Sequence, residues 1–93
     1  MMIASVRCEI LLYDVHSLKE KRSILKSILT RLKQRYNVAV AETNFQDTWQ
    51  RAEVSVVTVG TTKAVCEKEL QRALSLIDQE PLVERTLTDY EWL

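Results

Sequence analysis

The segment HSLKEKRSILKSILTRLKQRY, residues 16–36, gathers seven lysines and arginines, one glutamate and the chain's only histidine. Several kinds of chemistry can be written for it. His16 beside Ser17, with Asp14 just upstream, supplies the residue types of a base, a nucleophile and an orienting acid. Adjacent residues at a helix entrance do not face one another by default, and nothing nearby supplies an oxyanion hole. Ser17 also has a complete structural role. It stands three residues before Glu20, the spacing of a capping box, in which the hydroxyl takes the N3 amide and the glutamate returns to the N-cap amide. No catalytic residue is assigned, and the chain is not expected to be an enzyme.

The bases are the second candidate. On a helix of 100° per residue, Lys19, Arg22, Lys26 and Lys33 fall within a sector of about 60°, beside an outermost face made of Ser23, Ser27, Thr30 and Gln34. Lys19 and Lys33 are separated by about 21 Å of helix rise, enough to follow several phosphates. Like charges three and four apart repel slightly, so one-sided clustering is not what helix stability alone selects. These four are the expected nucleic-acid-binding residues. Arg31, Lys33 and Arg35 also place positive charge near the helix C-terminus, where the macrodipole favours it.

Cys8 and Cys66 are far apart and match no metal or redox spacing, and one histidine leaves a four-ligand zinc site dependent on carboxylates. Both read as small buried residues in a reducing cytoplasm. No metal or cofactor is expected. The opening MMIASVRCEILLYD is interrupted by Arg7 and Glu9, so neither a signal peptide nor a membrane span is expected, and a cytoplasmic location is.

These residues need a frame. Ninety-three residues, 46% of them hydrophobic, predict one small domain over 1–93 with a thin stability margin. The net charge is zero but unevenly spread. Residues 1–40 carry eight Lys/Arg against three Asp/Glu, whereas residues 41–93 carry five against ten. A basic surface is therefore compatible with a neutral chain.

Residues 2–13 alternate, with Met2, Ala4, Val6, Cys8, Ile10 and Leu12 on one face, which is the pattern of a half-buried strand. A helix follows Ser17, with Leu18, Leu25, Ile28, Leu29, Leu32 and Tyr36 inward, and Asn37 ends it. NVAVAET and the β-branched RAEVSVVTV read as strands joined across NFQDTWQ. Thr61 or Thr62 caps a second helix with Cys66, Leu70, Ala73, Leu74 and Ile77 inward. Pro81 stops it, and LVERTLTDYEWL supplies a last strand of ambiguous register.

The order βαββαβ is that of an α+β, ferredoxin-like fold: a four-stranded antiparallel sheet ordered 4-1-3-2 with two helices on one face. In it the first and third strands are neighbours, and their outward Arg7-x-Glu9 and Arg51-x-Glu53 patterns suggest that Arg7 lies opposite Glu53 and Glu9 opposite Arg51. That register also sets Trp49 opposite Leu11. Acylphosphatases share the topology and cradle phosphate in a glycine-bearing loop, but YDVHSLKE has no glycine. The outward residues of the two central strands include no aromatic on which an RNA base would stack.

HSLKEKRSILKSIL, then NVAVAE, then DTWQRA resemble the small bacterial YlxP-like family, a domain of unknown function, across nearly all of the chain. The resemblance implies a ferredoxin-like fold and a cytosolic bacterial protein. It also implies a ribosome-linked role, since family members often neighbour genes for elongation, initiation and ribosome-maturation factors. It brings no catalytic residues. The expectation is a non-enzymatic module, able to dimerise through its sheet face, that contacts structured RNA or a ribosomal particle through the first helix. The alternative is a protein-interaction or regulatory adaptor. Its interface would comprise Ile3, Leu11, Phe45, Trp49, Val57 and Val59, a partly apolar sheet face suited to a homodimer.

Overall fold

The computed structural model describes all 93 residues and has six elements: β1 (Met2–Leu12), α1 (Leu18–Arg35), β2 (Ala39–Asn44), β3 (Arg51–Gly60), α2 (Lys63–Asp78) and β4 (Val83–Trp92). The strands form one antiparallel sheet in the order β2-β3-β1-β4, which is 4-1-3-2 read from the other edge. Alternation in β1 and β3 buries Ala4, Val6, Cys8, Ile10 and Leu12 with Ala52, Val54 and Val56 against the helices. From α1 come Leu25, Ile28 and Leu32, and from α2 Cys66, Leu70, Ala73, Leu74, Leu76 and Ile77, closing a single core.

Local signals account for the element ends. Ser17 Oγ accepts the Glu20 amide at 3.1 Å, and Thr62 caps α2 by accepting the Val65 amide. The reciprocal half of the first cap differs from expectation. The Glu20 carboxylate takes the amide of His16, one residue before the N-cap, not that of Ser17. At the end of β3, a Cβ on Gly60 would stand 3.0 Å from Val65 Cγ1 and 3.1 Å from Cys66 Sγ, so close approach of α2 favours glycine there.

The register of β1 on β3 is two residues away from the expected one. Arg7 lies opposite Ser55, Glu9 opposite Glu53, Cys8 opposite Val54, and Leu11 opposite Arg51 instead of Trp49. A slip of two leaves every side chain on its own face, so alternation cannot separate the two registers. The expected ion pairs nevertheless form, diagonally. Arg7 reaches Glu53 at 3.5 Å and Arg51 engages Glu9. They offset the two glutamates that now face each other, and Thr43 Oγ1 donates a further bond of 2.6 Å to Glu53. On the other side of β1, β4 carries a bulge opposite Glu9, between Arg85 and Thr88.

Candidate nucleic-acid interface

Lys19, Arg22, Lys26 and Lys33 are all exposed on α1. None of the four has a carboxylate partner, whereas Arg7, Lys21, Arg31, Arg51, Arg72 and Arg85 each form an ion pair. Arg31 meets Glu80, just beyond α2, at 2.5 Å, which marks the flank of α1 that faces α2. The four free bases lie on the other flank. Their charges are therefore uncompensated by their own chain and open to solvent along about 21 Å of helix.

On the inward face of the same helix sits a residue that sequence reasoning missed. Lys21 is 1% exposed, the one charged side chain in the interior. Its Nζ donates to the carbonyl of Phe45 at 2.6 Å and lies 2.9 Å from Glu42 Oε2. Phe45 needs such help. Its φ of 63° places a non-glycine residue in the left-handed region, and its carbonyl also accepts the Thr48 amide at 3.0 Å. The amide of Phe45 is taken by its neighbour's Asn44 Oδ1, and the Arg51 guanidinium lies 3.9 Å from the centre of its ring. Lys21 thus ties α1 to the base of the β2–β3 hairpin.

The other expected residues fall into separate neighbourhoods. Ile3 lies directly opposite Val59, with Val57 two residues along, and these form one apolar end of the open sheet face. Leu11 and Phe45 are half-buried at the other end, near Arg51. Trp49 is 49% exposed and lines a shallow cavity with His16, Asp47, Thr48 and Gln50, while Phe45 lines another with Arg7, Glu9 and Leu87. The imidazole of His16 makes no hydrogen bond to Asp14 or Ser17.

At the α2–β4 junction, Arg85 donates two bonds of 2.8 Å to Asp78. The guanidinium holds the Asp78 carboxyl below its usual range, and the carboxylate in turn raises Arg85. Burial pushes the Cys8 thiol up to about 11, opposed in part by Arg85. Tyr13 is raised by its hydrogen bond to Glu84. No group of three or more His, Cys, Asp or Glu side chains is gathered for a metal, and no helix is long and apolar enough to cross a membrane.

Fold and surface define a small ferredoxin-like α+β protein whose first helix carries an uncompensated basic flank. Residues 3–90 match the family described as "Protein of unknown function (DUF503)", and the chain belongs to that family. It is 48% identical over 91 residues to "Uncharacterized protein YlxP" of Bacillus subtilis (strain 168), an alignment covering 98% of this chain and 99% of that protein.

Proposed function

We propose that this protein is a non-enzymatic, cytoplasmic binding module that contacts structured RNA, as in a ribosomal particle, through the flank of α1 bearing Lys19, Arg22, Lys26 and Lys33. The observation that carries this reading is clustering. Of the thirteen lysines and arginines six are held by carboxylates, and four of the seven left free lie on one side of one helix. A repeating polyanion satisfies such a row, because each phosphate neutralised releases counterions and adds to the affinity.

The test replaces all four with Gln and measures binding to structured RNA and to ribosomal particles across a salt series. Four lost phosphate contacts flatten the log–log salt slope by about 2.8 for single strands or about 3.6 for an ideal duplex. Arg35 and Lys68, which are exposed and free of ion pairs but lie outside the sector, serve as the control and should change the slope far less. Equal effects of the two sets, or no association of the wild type at low salt, would overturn the proposal and leave the adaptor reading in its place.

A further inference from the structure

The opposite edge of the sheet differs in chemistry from α1. β4 has β1 on one side and no strand on the other, so the far side of its backbone is unpaired. Beyond the bulge, residues 88–92 form a regular stretch whose two faces are differently equipped. Tyr90 lies opposite the core residue Val6, and Trp92 opposite Ala4, so both rings are on the helix side. They stack with their planes 6° apart, and Lys63 Nζ stands 4.9 Å from the centre of the Trp92 ring. Between this shelf and α2 run two adjoining cavities of about 350 and 290 Å³, which share Gln71 and Tyr90. On the open face, Asp89 lies opposite Arg7 and Glu91 opposite Ser5. Arg7 pairs with Glu53 at 3.5 Å, and neither Asp89 nor Glu91 has an ion-pair partner. A cavity of about 440 Å³ lies beside both carboxylates.

We propose that the edge of β4 accepts an added strand from a partner protein in which basic residues alternate with apolar ones. Strand addition supplies a backbone ladder, and the period of two sorts the incoming side chains. One set lies along the rings of Tyr90 and Trp92, the apolar part of a groove otherwise lined by polar side chains, and the other meets Asp89 and Glu91. A second copy of this chain is the wrong occupant. Two β4 edges paired antiparallel about a two-fold axis, in any register that overlaps residues 89–91 with faces matched, set Asp89 or Glu91 against another carboxylate. Like charges directly opposite are destabilising. The β2 edge offers no comparable code, because its one charged side chain, Glu42, is already engaged by Lys21.

The probe is an acetylated, amidated octapeptide of alternating Lys and Val, titrated at low ionic strength into the Trp49→Phe variant, in which Trp92 is the sole tryptophan. Binding should change the Trp92 emission. The same peptide with Glu in place of Lys should bind at least tenfold more weakly. The double variant Asp89→Asn/Glu91→Gln, checked for folding by circular dichroism, should lose at least tenfold in affinity for the Lys peptide. Two N-methylated forms of the peptide separate a ladder from mere charge attraction. Methylation of all Val amides and of all Lys amides blocks opposite edges of the strand, so one form should fail and the other bind as before. Equal binding of the two methylated forms, equal binding of the Lys and Glu peptides, or no binding of the Lys peptide would overturn the proposal. So would a dimer in sedimentation that the peptide dissociates, since the edge would then belong to a second copy.

Discussion

Lys21 and Lys26 leave the same helix five residues apart and meet opposite surroundings. Lys21 points into the fold, where a carbonyl and a carboxylate hold its ammonium, while Lys26 stands in solvent with no partner. The residue type is the same, and the angle around the helix decides the role. A charge on the inward stripe survives only if the sheet supplies a counter-charge, as Glu42 does. A charge on the outer flank contributes little to stability and is free for another molecule to use.

The sharpest way to break this contrast is to remove the inward lysine. Lys21→Met should lower stability by about 3–5 kcal/mol, because Glu42 is only 19% exposed and would keep its charge without a partner. Adding Glu42→Leu should recover much of that loss, since an apolar pair of similar volume often matches a buried ion pair. Chemical denaturation of the single and double variants checks both statements. An unchanged midpoint for Lys21→Met would mean that the hairpin base is held by something else.

The cap at the start of the same helix should come next. Ser17→Ala is expected to cost about 0.5–2 kcal/mol. Glu20→Ala should cost less and should not add to it, because both side chains serve amides of the same turn. Additive losses in a double-mutant cycle would show that the two bonds act independently.

The Asp78–Arg85 pair is a partly exposed counterpart to Lys21–Glu42, and it should matter less. The Asp78 side chain is 44% exposed, so solvent screening limits the pair to about 0–1 kcal/mol despite its two-point geometry. Its carboxyl titrates lower in the folded chain than its ordinary 3.8. The stabilisation is therefore fully present above that value and is lost as pH falls through the folded pKa. Asp78→Asn should remove this part of the acid dependence, and its denaturation midpoints should converge with those of the wild type as the pH falls below the folded pKa of Asp78.

The smallest stability effect belongs to the outer flank. Changing Lys19, Arg22, Lys26 and Lys33 to Gln should alter stability by no more than about 0.5 kcal/mol per site, in either direction. A melting curve that moves little while RNA binding falls would complete the contrast with Lys21. A large drop in melting temperature would show that the flank is structural after all.

Much of the fold was legible because each element carries its own signal. Alternation marked β1 and β3, caps marked both helices, and the inward residues named for α2 are all buried. What escaped was information that depends on two elements at once. The two R-x-E patterns match in either of two registers, because arginine and glutamate are long enough to pair diagonally. Lys21 lies on the stripe of Leu25, Ile28 and Leu32, at spacings of four, seven and eleven residues, so its angle pointed inward even though its charge argued for solvent. Glu42, on the helix-facing side of β2, was the complementary clue. The positions of Lys19, Arg22, Lys26 and Lys33 followed from helix geometry alone, whereas their lack of partners depends on where every other carboxylate falls.

The burial of both sulfurs has a practical consequence for labelling. Cys8 is enclosed by the sheet and α2, and Cys66 directs its thiol at the Met2 carbonyl, 3.6 Å away. With Cys8 pushed up to about 11, little of it is thiolate at pH 8. Its burial and that of Cys66 should keep both slow toward maleimides and iodoacetamides while the chain is folded. A single cysteine placed on the surface, at Lys26 or at Glu91, would take a dye or a photocrosslinker at one chosen site without first removing the native pair. The α1 flank and the β4 edge can then be probed separately in the same protein.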